Sequence, residues 1–257
     1  MQASKMSDPN QPQYDAQHEV MWFIAVQKEP SWEQDRFLHE YQKVHADLAR
    51  EGHKHTKLPL SYVQAGAREL LDDEANPPTD DPWDFVTCLY WPSTFVVWKG
   101  LQSPGYQETA GKHVFCRLDQ AGVLARKVGE VGAVTERFVE DGDFAVHVFY
   151  RRLREGNEEV GQGWVDGRVK LVEGLAAEGA GLVRQYSVWK DVTPEDTDTL
   201  FRGTQFFGGF WHKFTAVERF VFSSREEATR FWKDNRSTIA GIAGSTYVVG
   251  GTASVAI

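Results

Sequence analysis

Five side chains in this sequence stand out as candidates to move protons. His45 closes the run Phe37-Leu-His-Glu-Tyr-Gln-Lys-Val-His45. An imidazole titrates near neutrality, which suits proton removal from an activated carbon or proton delivery to a departing hydroxyl. Tyr41 stands four residues earlier. On a helix that spacing gives both one face, so its phenol could orient the imidazole or hydrogen-bond a substrate carbonyl. Tyr62 is a second phenol, on a short apolar segment. His113 comes after a Gly- and Pro-bearing stretch and precedes Val114 and Phe115, a setting for a lid or cavity mouth. His147 alternates with Ala145 and Phe149 along an apolar run. If that face lined a cavity, His147 and His45 would form an acid and base pair. Against each stands a plain alternative. A histidine on an apolar face is commonly a hydrogen-bonded core residue, and a tyrosine packs with its hydroxyl at the core's edge.

Other chemistries lack support. His53-Lys-His55 offers two imidazoles in what reads as an extended segment, but no third ligand stands at a telling spacing, so no metal is assigned. His39-Glu40 is not a zinc motif, because the next histidine is His45. The pairs Gly129/Gly132 and Gly241/Gly244 lack a phosphate-binding pattern, no GxSxG elbow exists, and neither Cys88 nor Cys116 has a nucleophile motif. No cofactor is called for.

Composition narrows the setting. The net charge is -9 and no basic run occurs, which disfavours nucleic acid. Two cysteines are too few for a disulfide framework and fit a reducing, cytoplasmic setting. The uncharged stretch 239–257 is glycine-bearing and contains a strand-like Ser245–Gly250, so a membrane anchor is disfavoured. The aromatic load is high, with 16 Phe, 9 Trp and 8 Tyr. It suits cavities for flat, apolar ligands as well as ordinary cores.

The elements that would position these residues come in two similar sets. The apolar run Glu19–Gln27 reads as a buried strand, and Ser31-x-x-Gln34 as a capping box. The helix after it ends at Gly52, with Phe37, Tyr41, Val44, His45 and Leu48 on one face. Strands are expected in 58–68, 83–91 and 131–139, with a helix after Pro92-Ser93. The order then repeats: a strand at 144–153, a helix at 158–177, a strand at 182–192 and an acidic loop at 192–199. A strand at 211–222, a helix from Ser224-x-x-Glu227 and a strand at 246–249 complete it. An offset of 127 sets Leu48-Ala-Arg-Glu-Gly52 on Leu175-Ala-Ala-Glu-Gly179, Tyr41 on Arg168 and His45 on Val172. Each copy is β-α-β-β-α-β, the ferredoxin-like order. The expected fold is therefore α+β: tandem ferredoxin-like repeats whose sheets close one barrel around an interior cavity. Residues 1–17 read as a disordered tail, 18–141 as the first repeat and 142–257 as the second.

The first strand, the Phe37–Leu48 helix with Tyr41 and His45, and the short apolar second strand resemble the dimeric α+β barrel superfamily, its EthD-like branch above all. That resemblance implies a polyketide-tailoring enzyme, a dehydratase, decarboxylase or cyclase acting on an aromatic small molecule without a cofactor. A lyase is the first expectation and a cyclase or isomerase the second, with His45 as general acid or base. A homodimer is compatible with it, as is haem binding elsewhere in the superfamily. The second copy departs from the pattern at Arg168 and Val172, which puts chemistry in the first half. The rival reading is a non-catalytic barrel that binds a small apolar ligand.

Overall fold

The computed structural model describes residues 13–65, 83, 85–108, 115–117, 120–132, 139–151, 160–178, 182–239 and 246–257. Strands β1 (Val20–Val26), β2 (Ser61–Ala65), β3 (Phe85–Trp91) and β4 (Ala121–Gly132) form one half. Strands β5 (Phe144–Arg151), β6 (Gln185–Asp191), β7 (Phe214–Phe222) and β8 (Thr246–Val255) form the other. All pair antiparallel, and the order β1-β3-β2-β8-β5-β7-β6-β4 closes into a barrel. Closure leaves no open sheet edge.

The registers of the two halves superimpose. Phe23 sits opposite Cys88 and Val123, and Val63 also faces Cys88. In the second half His147 sits opposite Arg219 and Val249, and Ser187 faces Arg219. Each half is a βαββαβ sheet, and the tandem ferredoxin-like barrel expected from the sequence is what the chain forms.

Strand alternation sorts the side chains into three apolar layers. The barrel interior is filled by Met21, Phe23, Val123, Phe149, Trp189 and Tyr247 among others. Outside the first sheet lies a second layer, covered by α1 (Gln34–His39), a π-helical segment (Glu40–His45), α2 (Ala46–Thr56), α3 (Thr94–Leu101) and α4 (Pro104–Glu108). Outside the second sheet lies a third, under α5 (Gln162–Glu178) and α7 (Arg225–Ile239). A short α6 (Thr197–Phe201) begins in the second half, yet Leu200, Phe201, Phe206 and Trp211 pack on the first half's layer. Aromatic side chains from both inner faces, Phe23, Phe149 and Trp189 among them, meet in the barrel interior.

Several local expectations change. Ser31 does not cap the first helix; its hydroxyl binds the Glu29 carboxylate, and the helix starts at Gln34 without a side-chain cap. Gly52 does not end it either. The chain continues to Thr56 and stops at Lys57 in the left-handed region, whose N–H donates to the His53 carbonyl. His53 and His55 are thus helical rather than extended. The last described strand of the first half is 121–132, which starts ten residues before the expected 131–139; residues 133–138 of that expectation lie outside the described residues. A short helix, 197–201, takes in the end of the expected acidic loop 192–199, and β8 runs six residues past the expected 249. At α7 one bond of the expected capping box forms, from Glu227 N–H to Ser224 Oγ, while the Glu227 carboxylate accepts from the Ser223 N–H instead of Ser224's own. Residues 13–17 lie against the first half, where Phe95 N–H donates to the Asp15 carbonyl and the Asp15 carboxylate pairs with Arg126. Among the described residues no helix is long and apolar enough to cross a membrane.

Candidate functional site

A cavity of about 420 Å³ lies between the first sheet and its helices, outside the barrel. That is within the usual range for small-molecule sites. Its floor is the outer face of the sheet: Trp22, Ile24 and Val26 from β1, Tyr62 from β2, and Thr87, Leu89 and Trp91 from β3. Its roof is the face of the π-helical segment and α2 carrying Tyr41, His45, Leu48 and Gly52. Phe115 and Cys116 close one side. They are pinned beside β1 by bonds from Glu29 N–H to the Phe115 carbonyl and from Arg117 N–H to the Gln27 carbonyl. Tyr106 and Gln120 complete the first half's share of the wall, and Phe206 reaches in from the second half.

The π-helical turn sets which residues look inward. It spans Glu40–His45 and buries Tyr41 and His45. Such turns carry one extra residue per hydrogen-bonded ring and rotate the helix beyond them about its axis. Val44, expected on the buried face, is 40% exposed, whereas His45 is 8% exposed. The turn is tied to the sheet by Gln64, whose Nε2 donates to the Tyr41 carbonyl at 2.8 Å and to the Tyr62 hydroxyl at 2.9 Å.

His45 meets the cavity with its ring 5.1 Å from Phe115 and 6.1 Å from Tyr62, centroid to centroid. Burial pushes its pKa down to about 4, because a charged imidazolium would lose its water there. It is therefore a neutral base at physiological pH. Tyr62 already accepts a bond from Gln64, so its own hydroxyl hydrogen is available as a donor. Burial raises its pKa and keeps it protonated. Tyr41 is placed differently from expectation: its hydroxyl bonds Thr87 on β3 rather than His45. Its phenol is likewise held protonated by burial. Three further polar atoms belong to wall residues, the indole N–H groups of Trp22 and Trp91 and the Gln120 Oε1. None has a hydrogen-bond partner among the described residues.

The other expected residues lie elsewhere. His147 points into the barrel interior, with Nε2 3.4 Å from Cys88 Sγ and its ring 5.9 Å from Phe23. The first sheet stands between it and His45, so the two cannot share one substrate, and the expected pair is not formed. The cause is strand alternation: Ala145, His147 and Phe149 all face inward. His113 lies outside the described residues. Tyr106, Gln120, Phe115, Cys116 and Phe206 were not singled out from sequence, and all sit on connecting segments or short helices without periodicity. Among the described residues no group of three His, Cys, Asp or Glu side chains could hold a metal.

The second half uses the equivalent positions differently. Arg168, aligned with Tyr41, reaches Glu218 on β7, and Tyr41 reaches the equivalent Thr87 on β3. Glu218 is fully buried and accepts from Arg168 Nε at 2.6 Å, Arg168 Nη2 at 2.8 Å and the Tyr150 hydroxyl at 2.6 Å. Val172, aligned with His45, is buried among Tyr186, Phe220 and Trp232.

Residues 29–116 match the EthD domain family. The chain is 30% identical over 217 residues to the chalcone isomerase cfoK of Aspergillus candidus, covering 84% of this chain and 85% of that protein. This chain belongs to the EthD-like family. The matched segment contains β1's exit, the π-helical turn, β2, β3 and Cys116, which is most of the cavity wall. Among solved structures it is similar to an anthrone oxidase-like protein, with a TM-score of 0.48 and 13% identity, covering 93% of this chain and 94% of that one. It is also similar to chlorite dismutase from Candidatus Nitrospira defluvii, with a TM-score of 0.46 and 10% identity, each chain covered to 91%.

Proposed function

We propose that this protein is an isomerase that closes a ring on a chalcone-like substrate, an aromatic enone carrying a neighbouring phenol, in the cavity roofed by His45. The observation that carries the reading is a neutral, buried imidazole beside a hydrogen-donating phenol on the wall of an apolar, aromatic cavity. The 30% identical relative named a chalcone isomerase favours ring closure over elimination of water or carbon dioxide.

The groups present supply each step of that chemistry. His45 takes the proton of the substrate phenol as its oxygen bonds to the β-carbon of the enone. The carbon–carbon π pair moves toward the carbonyl oxygen, giving an enolate. Tyr62, with its hydroxyl oxygen already occupied by Gln64, donates to that oxygen, where charge develops. The imidazolium then returns its proton to the α-carbon. No atom is gained or lost, and His45 ends as it began. Trp22, Trp91 and Phe115 offer flat surfaces for the two aryl rings, and the enclosed apolar wall strengthens each polar contact.

The experiment is to measure the loss of chalcone absorbance with a 2′-hydroxychalcone and the purified protein, native, His45→Ala and Tyr62→Phe. The native protein should accelerate closure, and loss of His45 should lower kcat/KM by about 10²–10⁴-fold. Binding of the chalcone without any acceleration would instead establish the rival reading, a ligand-binding barrel. An undiminished rate in His45→Ala would remove His45 from the mechanism.

A further inference from the structure

On the other side of the first sheet, the barrel interior contains a charge that nothing among the described residues neutralises. Arg219 on β7 is 2% exposed. Among the described residues its guanidinium makes one hydrogen bond, from Nη2 to the Gln185 Oε1 at 3.3 Å, and Nε finds no partner there. No carboxylate pairs with it among the described residues. A guanidinium stays protonated at any working pH, so burial cannot be relieved by losing the proton. A single uncompensated charge in such a place is among the costliest features a fold can carry.

The neighbours of Arg219 are donors. The register sets it directly opposite His147 on one side and Ser187 on the other. His147 is 1% exposed, and its Nδ1 has no hydrogen-bond partner among the described residues. With Nε2 set against the Cys88 thiol, the tautomer carrying hydrogen on Nδ1 presents a second donor. The Ser187 hydroxyl oxygen is occupied by the Trp189 indole N–H at 2.8 Å, which leaves its hydrogen as a third. The equivalent positions of the first half are Phe23, Cys88 and Val63, so the polar patch belongs to one sheet only. Arg219, His147 and Ser187 thus form a row of donors with a net positive charge, set in a low-dielectric interior.

We propose that this row is an anion site: Arg219 and His147 bind one small monovalent anion, halide-sized or a one-carbon carboxylate, inside the barrel. The site is separate from the cavity under the helices and does not depend on the reaction assigned there. Gln185, half-buried at the end of β6, links the guanidinium to the barrel's rim.

The test is thermal unfolding of the full chain at constant ionic strength, with sodium gluconate replaced stepwise by sodium bromide or sodium formate. Gluconate is too bulky for the interior. Tm should rise and saturate, by about 3–6 °C at tenfold excess over Kd for a chain of this size. Arg219→Met keeps the length of the side chain and removes the charge. It should unfold at one temperature in all three salts, and in gluconate it should be at least as stable as the native protein. A bromide-soaked crystal should show an anomalous peak beside Arg219. A Tm indifferent to bromide and formate, an equal response in Arg219→Met, or a soaked crystal without that peak would each overturn the proposal. The crystal decides the matter should Arg219→Met fail to fold.

Discussion

Acidification should leave His45 in its working form well after an ordinary histidine has protonated. His45 is 8% exposed, and desolvation lowers its pKa from 6.5 to about 4. At pH 5.5 a group of pKa 6.5 is roughly 10% neutral, whereas one of pKa 4 is roughly 97% neutral. The acid limb of kcat/KM, which reports the free enzyme's base, should therefore fall near pH 4 and not near 6.5. Initial rates of chalcone closure between pH 4.5 and 8 give the profile, and circular dichroism at each pH separates protonation from unfolding. The same shift acts on stability. The folded state refuses a proton that the unfolded chain accepts below pH 6.5. Stability is thus complete above that value and declines as pH falls toward 4, by about 3 kcal/mol for the 2.5-unit shift. His147, lowered to about 3 by burial and then by Arg219, adds a loss of the same sign from 6.5 down to about 3. His45→Gln should therefore be less acid-sensitive than the native protein. A kinetic acid limb at pH 6–7 with the fold intact would refute the reasoning, because it would mean that His45 is solvated when it works.

Two perturbations test the frame around the site. Glu218→Gln leaves Arg168 facing a neutral amide and should cost about 3–5 kcal/mol in chemical denaturation, as breaking a buried ion pair does. Its effect on the first half's chemistry should be small. Gly122→Ala would set a Cβ 2.3 Å from the Phe23 carbonyl and 2.9 Å from the Trp211 ring. Since one of those atoms is backbone, β1 and β4 must part, and a loss of about 3 kcal/mol or more in unfolding free energy is expected.

The barrel was legible because it rests on periodicity and order. Apolar runs marked β1, β3, β5 and β7, and the 127-residue offset aligned Tyr41 with Arg168, whose side chains reach equivalent strand positions in the two halves. The helix bearing Tyr41 and His45 was also legible, but its inward face was not. A π-helical turn has no sequence signature of its own, and it turned Val44 outward. Which side of the sheet holds the cavity depends on whether facing aromatic residues interdigitate, a property of side chains contributed by both halves. Phe23, Phe149 and Trp189 meet in the interior, and the cavity that His45 lines lies under the helices. Phe206 and Gln120 could not be found from the sequence. The first is brought to the site by a segment of the second half that packs on the first half's outer layer, and the second stands immediately before β4.

The most direct measurement is a crystal structure with a flavanone, the ring-closed product class, bound. The account predicts the ligand between the first sheet and the helix of His45, with the imidazole at the carbon that receives the proton and the Tyr62 hydroxyl on the carbonyl oxygen. A ligand in the barrel interior beside His147, or one under the helices with His45 turned away, would contradict it.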